Sequence, residues 1–119
     1  MVRVMTYRGA IRETLKEEME RDDRVVLVGE DIGTYGGVYK VTAGLLGEFG
    51  PSRVIDTPIS EGSIVGMGLG MAIKGLKPVV ELMFMDFLQL GMEEFVTEAA
   101  KARFLSAGKL SAPLVLRTP

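Results

Sequence analysis

Apolar residues follow two rhythms along this chain. From Tyr7 to Arg21 they recur every three or four positions (Tyr7, Ala10, Ile11, Leu15, Met19). Arg12, Glu13, Lys16, Glu17 and Glu20 take the opposite side, which predicts an amphipathic helix that Thr6 can cap. Val25-Val26-Leu27-Val28 breaks that period. A continuous branched run reads as a strand buried on both faces, closed by Gly29-Glu30-Asp31.

The same two rhythms alternate to the end. Ile32 to Lys40 is a glycine-rich loop carrying Tyr35 and Tyr39. Thr42 is expected to cap a short helix ending near Phe49-Gly50, with Pro51 as its stop. Arg53 to Asp56 reads as a second strand. A helix follows Ser60-Glu61 and runs to about Lys74, with Gly75 closing it. Lys77 to Met83 is a third strand. Met85 to about Ala107 reads as one long helix, on the spacing of Leu88, Met92, Phe95, Val96, Ala99, Ala100 and Arg103. Leu114-Val115-Leu116 is a fourth strand. Strands alternating with helices predict an α/β fold, a parallel sheet with helices on both faces. Ligands of such sheets bind beyond the carboxyl ends of the strands. Glu30, Glu61 and the 83–87 segment each follow a strand, so they are expected along one rim.

Composition narrows the chemistry. The 119 residues are 47% hydrophobic, enough for one domain with a core. With a net charge of −2 and no long basic run, nucleic acid is not an expected partner. No run approaches the roughly 20 apolar residues of a membrane span, and the stretch from Met1 to Met5 is not a secretory signal. A cytoplasmic location is the expectation. Cysteine and histidine are both absent. Thiolate nucleophiles, cysteine metal sites and the usual neutral-pH base are therefore excluded, and no metal site is assigned. Proton transfer falls to Asp, Glu, Lys, Tyr, backbone or water.

The richest stretch is Thr57-Pro58-Ile59-Ser60-Glu61, which sets a carboxylate where a strand becomes a helix. Gly62, Gly66 and Gly70 follow four apart, a spacing that lets another backbone approach, inside this domain or from a partner. By local sequence alone, Glu61 is a first-turn carboxylate favoured by the helix dipole. In apolar surroundings of Ile59, Ile64, Met83 and Phe84 it would instead hold its proton more tightly and could share it with a buried heterocyclic nitrogen. The Gly33–Gly37 loop lacks the spacing of phosphate-binding loops. Glu93 and Glu94 read as helix surface.

Several segments, in order, carry a resemblance. They are Gly29-Glu30-Asp31, Tyr35-Gly36-Gly37-Val38-Tyr39-Lys40-Val41-Thr42, Val54-Ile55-Asp56-Thr57-Pro58-Ile59-Ser60-Glu61, Glu81-Leu82-Met83-Phe84-Met85-Asp86-Phe87, Glu98-Ala99-Ala100-Lys101 and Arg117-Thr118-Pro119. Together they resemble the β subunits of thiamine-diphosphate-dependent 2-oxo acid dehydrogenases of the pyruvate, branched-chain and acetoin types. The resemblance implies the transketolase-like, cofactor pyrimidine-binding fold, with residues 1–119 as the N-terminal part of that domain and the C-terminal transketolase-type domain absent. It also implies that Glu61 hydrogen-bonds N1′ of the aminopyrimidine and activates the cofactor. Phe87 matches an aromatic packed on that ring, Ile59 and Met83 match pocket-lining positions, and Glu30 matches an acidic residue nearby. The glycine loop would be mobile near the cofactor.

The implied partners are an α-type subunit holding the diphosphate and Mg2+, a second β subunit in a heterotetramer, and a lipoyl-bearing acyltransferase component. In the family a catalytic histidine lies beyond the Arg-Thr-Pro segment, so these residues alone are not expected to catalyse. Related transketolase-like enzymes usually carry Glu-Gln-His where this chain has Glu61-Gly62-Ser63. A non-catalytic α/β interaction module is the rival from another class. Met83 leans toward pyruvate or acetoin over branched-chain acids.

Overall fold

A computed structural model describes residues 3–119. Met1 and Val2, part of the stretch read as lacking a secretory signal, lie outside the described residues. The order of elements is α1 (Tyr7–Arg21), β1 (Val25–Glu30), α2 (Leu45–Phe49), β2 (Val54–Thr57), α3 (Glu61–Ile73) and β3 (Lys77–Glu81). A 3-10 helix (Met85–Gly91), a π-helix (Glu93–Ala99), α4 (Ala102–Leu105) and β4 (Val115–Arg117) complete it. The four strands form one sheet in the order β2-β1-β3-β4. All three pairings are parallel. Among the described residues no helix is long and apolar enough to cross a membrane.

β1 is the central strand and decides the layering. Its side chains alternate faces, and both faces are covered. Val25 and Leu27 join Leu15, Met19, Ile32, Val41, Leu45 and Val54 beneath α1 and α2. Val26 and Val28 join Ile64, Val65, Val80 and Leu82 beneath α3. Full burial of each such side chain contributes about 1.5–3 kcal/mol, so these two clusters supply most of the drive to fold. Thr6 caps α1 as expected, its Oγ1 accepting from Gly9 N–H at 3.1 Å. At the other end, the Arg53 guanidinium donates to the carbonyls of Met19 (2.9 Å), Asp22 (2.9 Å) and Val25 (2.7 Å). A cation there satisfies helix-end carbonyls and suits the dipole.

Two expectations are corrected. Thr42 does not cap the short helix. Gly44 holds that position in a left-handed conformation, while the buried Thr42 hydroxyl donates to the Ile32 carbonyl at 2.6 Å. A buried hydroxyl needs a partner, and Thr42 finds it in the loop carbonyl of Ile32.

The long helix from Met85 to Ala107 is broken into 3-10, π and α turns. Gly91 is buried where a Cβ would lie 2.6 Å from Val65 Cγ2, so the backbone itself must press onto α3. Leu88, Gly91 and Phe95 keep the three- and four-residue steps that turn one face to the core, so side-chain spacing alone does not reveal the change of pitch. Met92 and Val96, counted on the same inner face, are exposed.

The glycine face of α3 is covered in part from within the chain, one of the two readings its spacing allowed. Gly62 and Gly66 are covered within the chain by Glu94, whereas Gly70 meets nothing within 4 Å. The closest packing is at Gly68, where a methyl would strike Val80 Cγ2.

Candidate functional site

Because all strands are parallel, their carboxyl ends line up along one edge. Register pairs Glu30 with Thr57 across β1 and β2. It places Gly29 beside Glu81, and Glu81 beside Arg117. Side-chain alternation then splits this rim between the two faces. Glu30 follows Val26 and Val28 onto the α3 face, and Thr57 follows Ile55 there. Glu81 and Arg117 take the opposite face, toward α1 and the glycine loop.

On the α3 face, β2 leads through Pro58-Ile59-Ser60 into Glu61, the first residue of α3. Ser60 Oγ donates to the Pro58 carbonyl at 3.2 Å and makes no side-chain cap, so the helix start keeps free N–H groups. The Glu30 carboxyl is pushed above its ordinary range by burial first, then by the negative charges of Asp31 and Glu61. Glu30 and Glu61 therefore share one electrostatic environment. Thr57 Oγ1 is buried beside them with no partner among the described residues.

Ile59, Met83 and Phe87 stand around this end of the sheet. Ile59 is 75% exposed and Phe87 37%; Met83 is half-buried. Phe84 meets Phe87 edge to face, centroids 6.0 Å apart at 77°. Glu61 itself is only partly buried. The apolar enclosure expected around it is thus open in this chain, because Ile59 faces solvent. The sequence brings the two glutamates together; it does not close a pocket over them.

The other face of the rim is closed. Glu81 is 6% exposed and forms an ion pair with Arg117. Burial raises the Glu81 carboxyl above its ordinary range, and the Arg117 charge partly opposes that shift. A Cβ on Gly37 would lie 3.3 Å from Glu81 Oε1, so the glycine loop rests directly on this pair. The loop is tied down at several points. Asp56 accepts from Gly33 N–H (2.6 Å) and Thr34 N–H (3.2 Å). Gly37 N–H donates to Asp31 O at 2.8 Å, and Lys40 Nζ donates to Tyr35 O at 2.7 Å while lying over the Tyr35 ring. The loop expected to be mobile is hydrogen-bonded along its length.

Sequence reasoning passed over Thr57, Asp56, Glu94 and the Glu81–Arg117 pair. A signal for the last was present. Val79-Val80-Glu81-Leu82 and Leu114-Val115-Leu116-Arg117 each carry one charge in an apolar strand, of opposite sign. Buried charges must be paired. Glu94 turns onto Gly62 and Gly66 instead of into solvent, and its Oε2 is buried without a partner among the described residues. Among those residues, no three of Asp, Glu, His or Cys gather as a metal site.

Comparison with known proteins places this geometry. Residues 3–119 match the family model of the transketolase pyrimidine binding domain. The 2-oxoisovalerate dehydrogenase subunit beta of Bacillus subtilis (strain 168) is 48% identical over 116 residues, covering 98% of this chain and 36% of that protein. The pyruvate dehydrogenase E1 component subunit beta of Rickettsia bellii is 47% identical over 115 residues, 97% of this chain and 35% of its own. The mitochondrial pyruvate dehydrogenase E1 component subunit beta of Pisum sativum is 48% identical over 113 residues, 95% of this chain and 32% of its own. The chain spans about a third of the length of these relatives.

Proposed function

This chain belongs to the transketolase pyrimidine-binding domain family, and on that premise we propose that it is part of a β-type subunit of a thiamine-diphosphate-dependent 2-oxo acid dehydrogenase. The observation that carries this is the placement of Glu61. It opens α3 at the sheet's carboxyl rim, on the same face as Glu30, whose carboxyl is pushed above the ordinary range by burial and its negative neighbours. The surroundings fit an aminopyrimidine. Such a ring has two apolar faces, a basic nitrogen and an amino group. Exposed Ile59 and Phe87 offer apolar cover, Glu61 and Glu30 offer proton-sharing oxygens, and Thr57 offers a hydroxyl still without a partner.

In this reading Glu61 holds a proton against the ring nitrogen N1′ and so activates the cofactor. Glu30 steadies Glu61 or a water beside it. Ile59, Met83 and Phe87 pack on the ring and exclude water from the shared proton. Thiamine diphosphate supplies the electron sink for decarboxylation, a chemistry that belongs to the cofactor and not to the protein. The diphosphate and its Mg2+ fall to an α-type subunit, as the resemblance to the 2-oxo acid dehydrogenase β subunits implies. A second β subunit, a lipoyl-bearing acyltransferase that takes the acyl group, and a cytoplasmic setting complete the proposal. Pyruvate is the working substrate. The relatives carry both pyruvate and 2-oxoisovalerate names, so both acids belong in the assay.

The test is Glu61→Gln in the enzyme assembled with its α-type partner. Glutamine keeps the size but cannot exchange the proton. Turnover should fall roughly 100- to 10,000-fold, the range for a lost general acid–base group, with folding and assembly unchanged. Near-wild-type turnover would sink the assignment. Assembly with a partner that never binds the cofactor would favour the interaction module.

A further inference from the structure

Thr57 carries an unexplained feature. Its Oγ1 is buried and has no hydrogen-bond partner among the described residues. Native proteins satisfy nearly all buried hydroxyls, so an exception calls for a reason. The register gives one. Thr57 pairs directly with Glu30 on the neighbouring parallel strand, about 4.8 Å away between backbones. Both side chains stand on the α3 face, as shown by Ile55 on β2 and by Val26 and Val28 on β1, which all pack toward α3. The charged groups acting on Glu30 are Asp31 and Glu61, both negative. A carboxylate with only like charges around it thus stands beside a hydroxyl with a proton to donate.

We propose that Thr57 is a positioning residue, whose hydroxyl donates to the Glu30 carboxylate when that group is ionised and so fixes how Glu30 stands against Glu61. No proton is transferred; the hydroxyl keeps its hydrogen, and only the orientation of Glu30 is set. The significance of this contact rests on the reading of the rim as a cofactor site. The structure holds Thr57 and Glu30 side by side without that hydrogen bond, and testing for it needs no bound cofactor. Donation to the ionised form stabilises it. Thr57 therefore works against burial, Asp31 and Glu61, the three influences that raise the Glu30 carboxyl.

The experiment follows Glu30 by carboxyl carbon NMR across pH in the 119-residue chain, without cofactor. Thr57→Val keeps the branched shape and removes the donor. The Glu30 midpoint should move upward in this variant, and Thr57→Ser should return it toward the wild-type value. An unmoved midpoint in Thr57→Val overturns the proposal. So does a serine variant that behaves like valine.

A second measurement needs no change at Thr57. In the wild-type chain the Thr57 methyl signal should titrate with the Glu30 midpoint, and that inflection should vanish in Glu30→Gln. A Thr57 signal that ignores Glu30 is the opposing result. Since both readouts are taken without cofactor, their failure is distinct from failure of the cofactor reading, which Glu61→Gln tests in the assembled enzyme.

Discussion

Two carboxylates end adjacent parallel strands on one rim, and they meet opposite fates. Glu81 on β3 faces the α1 side, where Arg117 pairs with it and the glycine loop covers both. Glu30 on β1 faces the α3 side, where Asp31 and Glu61 add negative charge and the Thr57 hydroxyl on the paired strand has no partner among the described residues. Both carboxyls are raised by burial, but only Glu81 has a cation to offset the shift. The difference separates architecture from chemistry. A neutralised, covered carboxylate holds strands and loop in place. An uncompensated one at an open edge is available to a ligand.

The sharpest way to break this comparison is to remove the cation. Arg117→Met leaves Glu81 buried without its partner. Breaking a buried pair from one side costs about 3–5 kcal/mol, so the urea midpoint should fall by that equivalent, and the Glu81 carboxyl should move further up. Changing both residues together, Glu81→Met with Arg117→Met, should recover most of the loss, because an apolar pair leaves no buried charge. A double variant as unstable as the single one would show that the pair holds the glycine loop by shape as well as charge.

A smaller contrast comes from two threonines. Thr42 lies next to the closed side and donates to Ile32 O; Thr57 lies on the open side without a partner among the described residues. Thr42→Val strands a buried carbonyl and should cost about 1–3 kcal/mol. Thr57→Val strands no acceptor seen in the structure and should cost less than Thr42→Val. Denaturation of the two variants side by side measures the gap, and equal losses would remove the distinction between the faces.

The layering was legible because it rests on strong, local signals. The branched run of β1, the helical spacing of α1 and the regular alternation of elements led to the parallel sheet. The rim followed, since parallel strands necessarily end together. The segment from Met85 onward was misread because side-chain spacing reports which face is inward but not the helical pitch. Gly91 comes close to Val65, a residue 26 positions earlier, a contact that spacing within the segment cannot show. The same limit hid the partners at the rim. Glu30 and Glu61 follow strands and stand out in the sequence. Whether each finds a cation, a hydroxyl or another carboxylate depends on strand order, because β3 inserts between β1 and β4. That order gives Arg117 to Glu81 and leaves Glu30 without it.

The smallest effect is the most specific to the open side. The Glu30 carboxyl is raised in the folded chain, so its protonated form favours folding. That contribution is present in full below the unfolded carboxyl's range and is lost as pH rises through the raised folded value. Glu30→Gln removes the titration and keeps the shape. At neutral pH the variant should therefore be slightly more stable than wild type, and its advantage should shrink as pH falls into the ordinary carboxylate range. Urea denaturation of both proteins across that range reads the difference directly. The opposite slope, with wild type gaining on the variant as pH rises, would mean that the ionised Glu30 is compensated in the folded chain. The two carboxylates of the rim would then be alike, and the open side would lose its claim to the chemistry.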